Sequence, residues 1–140
     1  MTRGTKGGKE GVAILGVFVA DLAFRAGRLP ALGETIVGSG FLMGPGGKGS
    51  NQSVAAARVG AKVTFITKIG RDAFGDIALA TWQREGIAAQ VVRSDSEPTG
   101  AAFIYVNDSS GENAIIVFPG AGTAPSMPTL AEVEALMARE

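Results

Sequence analysis

The 140-residue chain contains no cysteine and no histidine. Disulfides, thiol nucleophiles, zinc sites built on Cys or His, and Ser-His-Asp hydrolysis are therefore excluded for it. An excess of one charge is missing too, since 13 basic and 13 acidic side chains give a formal net charge of zero. No overall field draws such a chain to nucleic acid or an anionic membrane, so neither is expected as a partner. No apolar stretch approaches the ~20 residues that a membrane span requires. The apolar run Val12 to Ala20 follows Arg3, Lys6 and Lys9 and loosely imitates a secretory signal. Glu10 and Gly11 interrupt the junction, Asp21 follows at once, and Phe18 suits a small-residue cleavage site poorly. A buried strand explains the run better, and a cytoplasmic location is expected.

What is present suits one soluble globular domain. Hydrophobic residues make up 46% and charged residues 19% of the chain, ordinary proportions for a single core of this length. The 21 glycines gather in short motifs, which points to tight turns and close backbone approaches rather than low complexity.

Residues 1–10 are polar and glycine-rich and read as a loose tail. Val12 to Val17 is a continuous apolar run, as expected of a strand buried on both faces. Arg28 to Glu34 reads as a loop, Thr35 to Met43 as one or two short strands, and Gly44 to Gly49 as loop. Ser50 opens a helix of small residues over Asn51 to Val59, ended by Gly60. Lys62 to Ile69 is a β-branched strand. Asp72 caps a helix over Ala73 to Glu85 with Phe74, Ile77, Ala78 and Trp82 on one face, and Gly86 ends it. Ala89 to Arg93 is another short strand. Gly100 to Asn107 and Asn113 to Pro119 flank a hairpin-turn composition at Asp108 to Glu112. Pro128 and Thr129 then start an amphipathic helix carrying Leu130, Val133, Leu136 and Met137 on one face. Alternating strands and helices suit a parallel sheet, and the hairpin segments suggest a small separate sheet projecting from it.

The most informative segment is Gly46-Gly-Lys-Gly-Ser-Asn-Gln52. Two glycines before Lys48 allow close backbone approach to a ligand, and the following helix offers free N–H groups to oxygen-rich groups. Lys48 brings three donors and Asn51 both a donor and an acceptor, a combination suited to sugar hydroxyls. Gly44, Gly46 and Gly49 also satisfy the G-x-G-x-x-G dinucleotide spacing, but that motif belongs directly after the first strand of a βαβ unit. The P-loop pattern fails, because Gly49 stands where Ser or Thr must follow the lysine. Taken alone, a glycine-rich turn with a solvated lysine also accounts for the segment.

The longer stretch Gly46 to Ala61 closely resembles the N-terminal signature of ribokinase-like (phosphofructokinase-B type) sugar kinases. Other segments fall in that family's order: Gly16 to Asp21, Pro30 to Thr35, Ile69 to Gly75, Pro98-Thr-Gly100 and Gly111-Glu-Asn113. The resemblance covers nearly all of residues 11–140. It implies an α/β, Rossmann-like ribokinase fold, seen in its N-terminal portion, with a small β-sheet lid built near 33–44 and 100–119. By motif position Gly16 to Asp21 looks like the first strand, and Asp21, Gly47, Lys48 and Asn51 would be sugar ligands. Ala102 and Ile104 would form the apolar wall. Read without the resemblance, Asp21 also suits a turn or cap, and Ala102 and Ile104 suit plain core packing.

Two departures qualify the resemblance. In ribokinase itself an asparagine lies two residues before the aspartate; here that position is Val19, which questions ribose as the substrate and admits a nucleoside or another carbohydrate. The family's Gly-Ala-Gly-Asp segment, which supplies the catalytic base, and its magnesium-associated Asn-x-x-Glu segment have no match here. Gly120-Ala-Gly-Thr123 imitates the former but carries Thr123 in place of the aspartate. The resemblance thus implies an ATP- and Mg²⁺-dependent sugar kinase whose ATP, metal and catalytic sites lie outside these residues. The 140 residues alone are expected to be inactive. A non-catalytic sugar-binding or dimerisation module is the alternative, and open lid edges suit a homodimer.

Overall fold

The computed structural model describes residues 11–123 and 128–138. The loose tail expected over 1–10 lies outside the described residues, as do the side chains of Leu136 and Met137. Two sheets organise the chain. One is parallel, in the order β1 (Val12–Leu15), β4 (Val63–Gly70), β5 (Ala88–Ser94). The other is mixed, in the order β3 (Gly40–Gly46), β2 (Val19–Ala26), β6 (Thr99–Asn107), β7 (Asn113–Gly120). Within it β2 runs antiparallel to β3 and parallel to β6, and β6 runs antiparallel to β7. Helices α1 (Lys48–Arg58), α2 (Ala73–Arg84) and α3 (Leu130–Met137) complete the order.

Several expectations need correction. The apolar run beginning at Val12 is not one strand buried on both faces: β1 stops at Leu15, and Val12 and Leu15 are exposed. As an edge strand, β1 is paired only with β4 among the described strands. The segment Gly16 to Asp21 is divided rather than a single first strand. Gly16 still donates to the Ile66 carbonyl (3.1 Å), but from Val19 the chain joins the mixed sheet as β2. Residues 44–49 are not loop: β3 runs to Gly46 and α1 starts at Lys48, so Gly47 alone separates them. Nor does Ser50 cap that helix. Gly47 holds the N-cap position, and no side chain caps the turn.

The core forms where α2 meets β4 and the start of β2. Trp82, Phe18 and Phe65 are fully buried, with Phe18 and Phe65 approaching Trp82 edge-on at ring-centre distances of 5.6 and 5.1 Å. That edge-to-face arrangement adds about 0.5–1.5 kcal/mol per pair beyond burial. Ile69, Ala78, Val63 and Ile87 close the cluster, and Phe74 and Ile77 pack against it. The apolar face anticipated for α2 therefore points into the core. α3 is opened by a reciprocal pair: Thr129 N–H donates to the Glu132 carboxylate (2.7 Å), and Glu132 N–H donates to Thr129 Oγ1 (3.2 Å). No helix among the described residues is long and apolar enough to cross a membrane.

Asp72 joins the two sheets. It caps α2 by accepting from Gly75 N–H (2.8 Å), and its other oxygen accepts from Thr99 N–H at the start of β6 (2.8 Å). Gly70 N–H, ending β4, donates to Thr99 Oγ1 (2.9 Å). Burial pushes the Asp72 carboxyl up, but hydrogen bonds from Thr99 and Gly75 and the nearby Arg93 charge outweigh it and leave the group below its ordinary value. A depressed carboxylate stabilises the fold fully above the unfolded value near ~3.9 and stops doing so as pH falls through the folded value. Asp72→Ala is expected to lower stability at pH 7 by about 1–2 kcal/mol. In a urea-unfolding series from neutrality into acid, the gap to wild type should narrow as the wild-type carboxyl protonates; a gap that does not change with pH would contradict this role.

Candidate functional site

Asp21 lies on β2, beside Gly44 of β3 on one side and Ala102 of β6 on the other. Its carboxylate rests over Gly46: a Cβ built at Gly46 would fall 2.2 Å from Asp21 Oδ1 and 2.4 Å from Oδ2. The next residue, Gly47, has φ +92°, and a Cβ there would lie 2.5 Å from the Val17 carbonyl oxygen. Two steps on, a Cβ at Gly49 would fall 2.8 Å from the Gly16 Cα, and the reverse holds as well. These glycines therefore admit other parts of this chain. Sequence reading assigned that close approach to a ligand; the structure assigns it first to the Asp21 carboxylate and the Gly16–Phe18 backbone.

The result is an acid in an unusual state. Asp21 is half-buried, and burial pushes its carboxyl above the ordinary aspartate value. A desolvated acceptor without partners is poised to take hydrogen bonds from an incoming hydroxyl-bearing group. Lys48 and Asn51, both exposed, stand in the first turn of α1, directly after the β3 end that carries the carboxylate. Ala102 is buried and Ile104 half-buried on β6; they lie in register with Asp21 and Ala23, hence on the same face of the sheet. Asp21, Gly47, Lys48 and Asn51 thus gather where β2, β3 and α1 meet, and Ala102 and Ile104 extend one sheet face away from them.

Other features fall outside this group. Thr123, the imitation of a catalytic aspartate, turns its hydroxyl back onto the Gly120 carbonyl (2.9 Å) and closes the turn after β7. Among the described residues no group of three or more His, Cys, Asp or Glu is placed to hold a metal ion. Sequence reading missed Gly46 as the platform under Asp21. A small residue next to a required positive-φ glycine is the only sequence signal for it, and the register between β2 and β3 is needed to interpret that signal.

Comparison with known proteins gives one consistent result. The model of the pfkB family carbohydrate kinases matches residues 9–139. The mouse (Mus musculus) ribokinase is 36% identical over 129 residues, covering 91% of this chain and 40% of that protein. The Giardia lamblia ribokinase structure superposes with a TM-score of 0.80 at 36% identity, covering 94% of this chain and 38% of that one. The Arabidopsis thaliana ribokinase complexed with ribose and ATP superposes with a TM-score of 0.74 at 31% identity, covering 80% of this chain and 36% of that one. The chain spans about two fifths of the length of the curated relative it matches.

Two glycines of the same backbone conformation separate crowding from conformation. Gly60 has φ +93° with nothing within 4 Å of its built Cβ, whereas Gly47 has φ +92° and faces backbone. Gly60→Ala is expected to cost about 1 kcal/mol, the conformational penalty alone. Gly47→Ala should cost roughly 3 kcal/mol or more, because backbone must also move. Denaturant unfolding of the two variants checks this, and equal losses would refute the crowding at Gly47.

Proposed function

The chain belongs to the pfkB family of carbohydrate kinases, and from that premise we propose that it supplies the sugar-binding part of an enzyme transferring the γ-phosphoryl group of ATP to a sugar hydroxyl. The observation that carries the proposal is the Asp21 carboxylate, desolvated, seated over Gly46 and next to the first turn of α1. An ionised carboxylate accepts from two neighbouring hydroxyls at once, a geometry that selects a vicinal diol over water or a simple alcohol. Lys48 and Asn51 fix the remaining ring oxygens, and Gly47 lets the chain turn from β3 into the helix that carries them. Ala102 and Ile104 give the sugar's apolar face a wall on the same sheet surface as Asp21.

The four-stranded sheet acts as the lid, and closing it over the acceptor excludes water that would otherwise compete for the phosphoryl group. ATP and Mg²⁺ are the co-substrate and metal of this reaction, and on the family resemblance their sites belong to other residues. The part played by this chain is to bind and orient the acceptor. A homodimer through the lid is supported by its exposed apolar side chains, Phe41, Leu42, Ile116 and Phe118 among them.

Val19 favours a second acceptor class. It is buried and packs against Gly100, where a Cβ would fall 2.8 Å from Val19 Cγ1, so its position offers methyl groups and no hydrogen bond. A pocket lacking that polar contact tolerates an acceptor without a hydroxyl there, such as a deoxy sugar, or one with a base attached, such as a nucleoside. Phosphoryl transfer by the complete gene product to D-ribose, 2-deoxy-D-ribose, D-fructose and a nucleoside distinguishes these acceptors. Transfer to none of them would sink the proposal.

Asp21→Asn is expected to weaken sugar binding about 10- to 100-fold, the worth of hydrogen bonds to a charged acceptor. Titration calorimetry with the preferred sugar reads this directly. The same variant should unfold no more easily than wild type at neutral pH, and slightly less easily. A folded pKa raised by burial means that ionisation opposes folding: the stabilising balance holds below the unfolded value and is lost as pH rises through the folded one. Sugar affinity should fall in mild acid at a higher pH than an ordinary aspartate would give. A variant that loses stability but keeps its affinity would place Asp21 in the scaffold instead.

A further inference from the structure

We propose that Trp82, which lies on α2 and in the core rather than in the site, is a positioning residue for the sugar-binding turn, acting through Ser50 and Phe18. The proposal rests on the sugar-kinase reading above. Its starting point is an omission: α1 begins at Gly47 with no side-chain cap. The first turn of that helix, which carries Lys48 and Asn51, therefore lacks the local hydrogen bond that usually fixes a helix start. Its orientation must come from tertiary contacts.

Those contacts converge on one side chain. Trp82 Nε1–H donates to Ser50 Oγ at 3.0 Å, and both residues are fully buried. Ser50 stands between Lys48 and Asn51 in the same turn, and its own N–H points at the Val17 carbonyl (3.4 Å). On its other side the indole meets Phe18 edge-on. Phe18 directly precedes β2, which carries Asp21. One indole thus touches the helix turn and the residue that leads into the strand, without lining the site itself.

The remainder of α2 makes this a fixed reference. Its N-terminal cap, Asp72, holds Thr99 at the start of β6, the strand carrying Ala102 and Ile104. Simple space-filling does not account for a serine at position 50. Alanine is the better helix former and has no hydroxyl to desolvate in a buried first turn. A buried hydroxyl matched to a buried indole N–H, 32 residues away in sequence, fixes geometry that apolar packing would leave free to slide.

The test uses Trp82→Phe, Ser50→Ala and the double variant in the complete gene product, with steady-state kinetics and thermal unfolding for each. Trp82→Phe keeps a ring in the core and removes the N–H; Ser50→Ala removes the acceptor with little change of volume. Each single change is expected to raise KM for the sugar about 3- to 10-fold, with kcat and KM for ATP within about twofold of wild type. The double variant should be no worse than the poorer single, because both remove the same bond. Sugar should also change the indole emission of wild type relative to the Trp82→Phe blank. Lowered unfolding temperatures with an unchanged sugar KM would make the bond merely structural and overturn the proposal. Fully additive effects in the double variant would do the same. A wild-type protein that turns over no sugar overturns the sugar-kinase reading and this proposal together. Wild-type turnover with unaltered variants overturns this proposal alone.

Discussion

The structure depends on a backbone crossing that only glycine permits. Where Gly16 leaves the parallel sheet, its Cα lies so near Gly49 that a Cβ on either would come within 2.8 Å of the other's Cα. Gly47, at φ +92°, lies against the Val17 carbonyl and the Phe18 backbone in the same place. Side chains at these positions would push α1 away from the β1–β2 connection. That shift would open the core at Phe18, detach Ser50 from Trp82 and lift the β3 end from beneath Asp21. Several distinct features of the site follow from this one approach of two chain segments.

The electrostatics make the same position stand out. Among the described residues, five acidic side chains are paired with arginines: Glu34 with Arg28, Glu85 with Arg58, Asp108 with Arg25, Asp95 with Arg71, and Asp76 with Arg93. The Arg28 guanidinium and the Ala31 N–H hold Glu34 down at about 2. These exposed pairs contribute little to stability individually. Asp21 is the reverse case, an acid with raised pKa, partly removed from water and given nothing in exchange. Such an arrangement opposes folding in the free protein, and on the proposed function the sugar's hydroxyls supply the missing hydrogen bonds.

Much of this was readable from residue order, and the unread part has a physical cause. Asp72 as a cap, Gly60 and Gly86 as helix stops at positive φ, and the apolar stripe of α2 are local signals, and each corresponds to its element. The resemblance carried by Gly46 to Ala61 identified the family that the whole-chain comparison also gives. The errors came where neighbours distant in sequence decide. Val12 to Val17 reads as one buried strand and Gly16 to Asp21 as the family's first strand, yet the chain leaves one sheet after Leu15 and enters the other at Val19, with Gly16 crossing Gly49 between them. Gly44 to Gly46 reads as loop because of its glycines and Pro45, yet pairing with Val19 to Asp21 holds it extended. Ser50 reads as a cap because serine favours that position, whereas its hydroxyl is used by an indole on another helix.

The location of the site follows from how the two sheets are joined. They share no strand, so the chain passes between them at Gly16–Phe18, at Gly47 and at Asp95–Pro98. At such passages the backbone leaves one hydrogen-bonded ladder before entering the next, and its polar groups pair outside the ladders: the Val17 carbonyl accepts from Ser50 N–H, and Glu97 N–H donates to Ser94 Oγ. Asp21 stands three residues after the first passage, Lys48 directly after the second, and Ala102 four residues after the third. A ligand bound among them touches two strands of the mixed sheet and the first turn of α1, the helix that leads from it to the parallel sheet. Asp72 braces the same junction by tying the start of β6 to α2, so on the proposed reading the acceptor is held beside the passages that join the two sheets.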